Sequence, residues 1–284
     1  MWWHDVSRVM PSLTLKRMTP WPTIDKLPGD NSIAATPACG QGFAKPFVHE
    51  EGDSRSLHFT LDELQSRMDK RHPWSLELDY TRTMMGFLLL VPEPASIAMI
   101  GLGGGSLAKF CYHHLPTCRI TVAEINPHVI ALRRDFCVPD DDARFTVIQG
   151  DGAAFVAVPS HRVDVLLVDG FDHTGQPDAL CSQVFYDDCF TALTPEGVLA
   201  VNLHYDDANY ALWAERIRRS FGGNAVEIPA IEKSNCIMFA SRGAPLSPRR
   251  IKLQASLAGL DSNARAELKP EFSRVVWAMK DLDN

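Results

Sequence analysis

The sequence predicts an α/β fold: a doubly wound parallel sheet with helices on both faces, preceded by a small N-terminal β-hairpin domain. Three observations predict it. Five apolar runs ("SIAMIG", "RITVAEI", "FTVIQGD", "VDVLLVDG" and "GVLAVNL") alternate with segments of helical period, and unbroken apolar strands belong to sheets covered on both sides. A glycine cluster, "GLGGGS", follows the first run and opens a helix. Upstream, alternating residues Phe47/Val48 and Leu57/Phe59/Leu61 flank the turn signal Gly52-Asp53.

In chain order, residues 1–44 are rich in Pro, Thr, Gly and Ala without sustained period, and read as an extended or disordered extension. Residues 45–78 form the small β subdomain, and 79–284 the large domain. The segment "SLELDYTRTMMGFLLLVP" has helical spacing and stops at Pro92 and Pro94. "SLAKFCYHHL", "PHVIALRRDF", "SQVFYDDCFTAL" and "NYALWAERIRRSF" are the crossover helices. "AVEIPAI" and "CIMFASR" are expected to add edge strands, and "RVVWAMKDLDN" to close the chain as a helix.

Composition removes several functions. Of 284 residues 22% are charged and the net charge is −7, whereas a nucleic-acid binder needs a basic face. No run of about 18 apolar residues spans a membrane, and "MWWHDVSRVMPSLTLKRM" lacks the apolar core of a signal peptide. Seven scattered cysteines without a CxxC pair suit reduced thiols and a cytoplasmic protein. Cys111, His113, His114 and Cys118 lack metal-ligand spacing, so no metal is expected.

The glycine loop is a ligand cradle of a particular kind. It has no Gly-Lys-Ser/Thr, which excludes a phosphate-binding loop, and after Gly101-x-Gly103 the third fingerprint glycine is replaced by Ser106. Pyrophosphate is therefore disfavoured. Gly103, Gly104, Gly105 and Ser106 instead let a ligand approach the backbone at a helix start. Glu124 ends the second strand, where a carboxylate accepts from ribose hydroxyls. Asp151-Gly152 ends the third, within reach of an exocyclic amine such as adenine N6. Together they predict an adenosine-containing ligand without pyrophosphate, S-adenosylmethionine or a derivative. Beyond the fourth strand, Asp169 and Asp172 can bind an ammonium group, and one can take its proton. His173 is expected to be a surface turn residue.

From about Lys45 to Leu203 the chain resembles the spermidine/spermine synthases, the polyamine aminopropyltransferases, whose fold is Rossmann-like and methyltransferase-type. "LDELQS", "LDYTRTMM", "GLGGGSL", "VAEINPHVIALRRDF", "GDGAAF" and "VDGFDHTGQPDAL" follow the family's motif order. The resemblance implies Gln65 as a nucleoside contact, Tyr80 as a substrate contact, Glu124 on the ribose and Asp151 near adenine. It further implies Asp169 as general base, Asp172 as amine ligand, a polyamine or amine acceptor, and a homodimer. The chain departs from the pattern in four places, one of them His173 after Asp172, where the family has a proline. Ser106 replaces the loop aspartate that holds the donor's amine. Thr81 replaces a glutamine, and one residue is inserted before Pro177. An aminopropyltransferase using decarboxylated S-adenosylmethionine is thus the first reading. A methyltransferase using S-adenosylmethionine on the same scaffold is the alternative.

Overall fold

A computed structural model describes residues 42–61, 64–158, 162–172, 175–231, 234–251 and 253–280. The extension predicted over 1–44 falls almost wholly outside them.

The small subdomain is a three-stranded antiparallel sheet in the order β1 (Phe47–Glu51), β2 (Ser54–His58), β3 (Leu64–Asp69). Gly52, at φ +56°, makes the expected turn. The second apolar run does not continue as one strand. It stops at His58, Leu61 is 87% exposed, and a third strand follows. Leu57 and Met68 anchor this sheet in the core. The β2–β3 pairing slips where Leu57 faces Ser66 and His58 faces Leu64, leaving Gln65 as the extra residue of a bulge.

The segment expected to be one long helix is a short α1 (Asp79–Met84) followed by a 3₁₀ helix over Met85–Leu89. Met84 to Leu89 are buried throughout, so the run has no solvent face to present as an amphipathic helix would. Gly86 lies so close to Phe239 that a Cβ there would come within 2.9 Å of the ring. The strand β4 (Ser96–Ile100) leads into α2 (Ser106–His114). Then come β5 (Arg119–Glu124), α3 (Pro127–Ala131), β6 (Phe145–Gln149), α4 (Gly152–Val156) and β7 (Val163–Val168). The chain continues through α5 (Gln183–Ala192), β8 (Leu193–His204), α6 (Tyr210–Ser220), β9 (Ala225–Pro229) and β10 (Asn235–Ser241). It closes with α7 (Leu253–Ala258) and α8 (Ser262–Lys280).

The large sheet has the order β6-β5-β4-β7-β8-β10-β9, with β6 to β8 parallel and β10 antiparallel to both neighbours. Of the two segments expected at an edge, only β9 lies there, opposite β6 at the other edge. β10, expected at an edge, is interior, because Cys236 to Ser241 are buried on both faces as a central strand requires. Two cores flank the sheet: one holds Phe110, Phe136 and Phe272, the other Phe185, Tyr186 and Trp213. α8 carries the buried Glu271, which accepts from Thr83 Oγ1 at 2.5 Å and pairs with Arg274. The chain winds outward from β4 to β6, then crosses to β7 and β8. Their carboxyl ends therefore open a crevice between β4 and β7, the usual place for a ligand in such a sheet.

At the end of α2, His113 stacks on Trp74 at 4.4 Å, and His114 is buried against Phe110. Burial, followed by the neighbouring His113, pushes the His114 imidazole down to about 4. The unfolded chain, with histidine near 6.5, binds a proton that the folded chain refuses between those values. Stability should fall as pH drops from about 6.5 to about 4. A pH series of urea melts should show His114→Phe flattening that slope, and an unchanged slope would reject the assignment.

Candidate active site

The loop after β4 is shaped by left-handed backbone that favours glycine. Gly101, Gly103 and Gly105 have φ of +92°, +51° and +69°. A Cβ on Gly101 would lie 2.2 Å from the Asp169 carbonyl oxygen, and one on Gly105 2.4 Å from Val138 Cγ2. The loop thus fits tightly between the end of β7 and the segment after α3, and Gly105 caps α2 in the left-handed conformation.

Glu124 is 7% exposed and organises this loop. Its Oε2 accepts from the Leu102 amide and its Oε1 from the Asn126 amide, each at 2.8 Å. Burial raises its pKa, while these backbone donors pull the other way. The amides of Ile125 and Gly103 also act on this carboxylate, so Glu124 is ringed by backbone donors of the loop and the strand end. The next residue, Ile125, is 46% exposed, an apolar side chain set beside that carboxylate. Asp151 stands at the start of α4, its Oδ1 accepting from the Ala154 amide at 2.8 Å as an N-cap. Gly152 is required by packing, since a Cβ would approach Ile100 Cγ2 to 2.3 Å.

Ser106 begins α2 and lies 3.2 Å from Ser66 Oγ on β3. A Cβ on Gly104 would come 2.5 Å from the same Ser66 oxygen. The small sheet therefore abuts the glycine loop, and the bulge residue Gln65 directly precedes Ser66 in the chain.

Asp169 follows β7, with its amide bonded to the Ile100 carbonyl at 2.9 Å. Both carboxylate oxygens are held. Oδ2 accepts from the Tyr80 hydroxyl at 3.1 Å and Oδ1 from Asn202 Nδ2 at 2.9 Å. Asn202, 2% exposed, is itself fixed, its Oδ1 accepting from Asn235 Nδ2 at 2.9 Å. Burial raises the Asp169 pKa above the ordinary carboxylate value, and the Asn202 and Tyr80 hydrogen bonds offset part of that shift. A half-buried carboxylate with a raised pKa is suited to taking up a proton. Asp172 sits in a small two-residue bridge, its amide bonded to the Gly175 carbonyl at 2.8 Å and its carbonyl accepting from the Gly175 amide at 3.2 Å. His173 lies outside the described residues.

Glu124, Asp151 and Asp169 thus stand at the carboxyl ends of the parallel strands β5, β6 and β7, with Tyr80 bonded to Asp169. Sequence reasoning missed Ser66, Asn202 and Asn235. Asn202 left a signal: it is a polar residue inside the apolar run "GVLAVNL". Ser66 and Asn235 left none, because their partners come from distant segments.

The six described cysteines are free. Cys111 and Cys118 are buried, and the imidazoles of His113 and His114 approach Asp261, which caps α8, rather than either thiol. Among the described residues no helix is long and apolar enough to cross a membrane.

Residues 77–209 match the family model for the spermine/spermidine synthase domain. A polyamine aminopropyltransferase of Neisseria meningitidis serogroup A is 40% identical over 215 residues, covering 75% of this chain and 82% of the relative. One from Chromobacterium violaceum is 41% identical over 199 residues, covering 70% and 76%. Among solved structures, a probable spermidine synthase from Corynebacterium glutamicum aligns with TM-score 0.60 and 19% identity, over 76% of this chain and 83% of that one. A spermidine synthase in complex with the transition-state analogue AdoDATO aligns with TM-score 0.52 and 22% identity, over 80% and 89%. At those identities the structures speak for the fold, while the curated relatives speak for the family.

Proposed function

Because the chain belongs to the polyamine aminopropyltransferase (spermine/spermidine synthase) family, we propose that it moves the aminopropyl group of decarboxylated S-adenosylmethionine onto a polyamine amine, with Asp169 as general base. The observation that carries this reading is the Asp169 carboxylate, half-buried and gripped by Tyr80 and Asn202 at the topological switch point.

The donor's adenosine would lie across the carboxyl ends of β4, β5 and β6. Glu124 would accept from the ribose hydroxyls, Ile125 would cover a face of the adenine, and Asp151 would face its exocyclic amine. Gln65 would reach the nucleoside from the bulge, and Gly103 to Ser106 would line the sulfonium arm. The acceptor arrives as an ammonium ion and cannot attack carbon in that form. Asp169 would take one proton, with Asp172 holding the amine in place. The freed nitrogen lone pair then forms a bond to the methylene carbon beside sulfur as the carbon–sulfur bond breaks. The electron pair neutralises the sulfonium, and 5′-methylthioadenosine leaves. Since the sulfonium is already a good leaving group, the protein contributes mainly orientation and proton transfer.

Ser106 is compatible with this donor. Its hydroxyl and that of Ser66 can accept from an ammonium, although a neutral oxygen makes a weaker contact than a carboxylate. Calorimetric titration with S-adenosylmethionine and with its decarboxylated form tests the reading. Tighter binding of the decarboxylated form is expected, and preference for the carboxylated ligand would overturn it.

A further inference from the structure

The last turn of α2 holds two adjacent histidines, His113 and His114, and both approach Asp261 at the start of α8. His113 Nε2 lies 3.9 Å from Asp261 Oδ2. One nitrogen of each imidazole and one Asp261 oxygen all lie within 4.8 Å of one another. The two rings meet edge-on, with centroids 4.6 Å apart. Each ring is held by an aromatic neighbour: His113 stacks on Trp74 at 4.4 Å, and His114 packs on Phe110 at 4.4 Å. Asp261 divides its two oxygens between two tasks. Oδ1 accepts from the Asn263 and Ala264 amides, both at 2.9 Å, as the cap of α8, while Oδ2 turns to the histidines. Among the described residues no hydrogen bond occupies the ring nitrogens of either histidine.

Two imidazoles and a carboxylate are a ligand set for a divalent transition metal, and zinc takes such sets tetrahedrally with water in the fourth position. With bonds of about 2.0–2.2 Å, tetrahedral ligand atoms stand about 3.3 Å apart, so the trio closes on an ion by roughly 1.5 Å at most. His113 and Asp261 have room for that movement, with 41% and 47% of their side-chain surface exposed. We propose that His113, His114 and Asp261 form a site for one divalent transition-metal ion of the zinc class, which joins the end of α2 to the start of α8. The site stands about 13 Å along α2 from the glycine loop, at the opposite end of the helix. The ion therefore acts on stability and not on the transferred group. Spacing along the chain hides the site, because its third ligand arrives from α8 and not from Cys111 or Cys118.

The protein stripped with EDTA and titrated calorimetrically with Zn²⁺ should bind one ion per chain here. At about a hundredfold over Kd the melting temperature should rise by roughly 5 °C or more. Two variants remove a ligand and keep its neighbours in place. His113→Phe preserves a ring on Trp74, and Asp261→Asn keeps a capping oxygen for α8. Each should weaken Zn²⁺ binding at least about tenfold, since even an outer partner of a metal ligand is worth that much. The melting shift should shrink in step, and the metal-free melting temperature checks that each variant folds. Absence of Zn²⁺ binding, or an affinity and melting shift unchanged in either folded variant, overturns the site.

Discussion

Replacing Asp169 by Asn is expected to lower turnover by about 10²–10⁴-fold while leaving the fold intact, the range for removing a positioned general base. The exchange preserves size, and the 169 side chain would still lie between the Tyr80 hydroxyl and the Asn202 amide. What disappears is the capacity to accept a proton. The same assignment fixes the sign of the pH dependence. Asp169 works as its carboxylate, so kcat/KM falls as pH drops through its folded pKa. Because burial raises that pKa, the acid limb should lie above the ordinary carboxylate range. The Tyr80 and Asn202 hydrogen bonds favour the charged form, so Tyr80→Phe or Asn202→Leu should move the limb further up. Full turnover in Asp169→Asn, with an acid limb that neither neighbour moves, would show that the base is another group.

Gly101→Ala is expected to destabilise the protein by roughly 2–5 kcal/mol and to abolish activity, combining a strained backbone with overpacking. At φ +92° any other residue is strained. The added methyl would also meet backbone on the facing strand: the Asp169 carbonyl oxygen at 2.2 Å, its carbon at 2.9 Å and Gly170 Cα at 3.2 Å. Relief requires parting the ends of β4 and β7, which carries Asp169 away from Tyr80 and Asn202. Gly103→Ala is the control, since its nearest neighbour would be Ser66 Cβ at an ordinary 3.9 Å. It should cost only the left-handed conformation, about 1–2 kcal/mol. Thermal melts of both variants check the contrast, and equal losses would mean that the Gly101 contact is not limiting.

The parallel sheet was legible because buried strands write themselves as unbroken apolar runs, and the glycine loop because its φ values exclude side chains. Glu124, Asp151 and Asp169 were legible for a related reason: each is a carboxylate ending or following an apolar strand, and parallel strands deliver such ends to one edge. The errors fell where local pattern and tertiary demand part. Residues 84–89 carry an apolar run whose shape is set by Phe239 and α8 rather than by helical period. β10 reads the same whether it lies at an edge or inside, because only its pairing with β8 and β9 tells them apart.

Spacing and residue type alone determined the sheet, the glycine loop and the acidic pair beyond the fourth strand, because each is encoded within a few consecutive residues. Only the tertiary structure decided what surrounds the acidic pair. Tyr80 and Asn202 converge on Asp169 from separate segments, Asn235 holds Asn202 in turn, and Ser66 meets Ser106 across 40 residues of chain. Such contacts leave no periodic trace in the sequence, since hydrogen bonds between side chains depend on distance in space and not on distance along the chain.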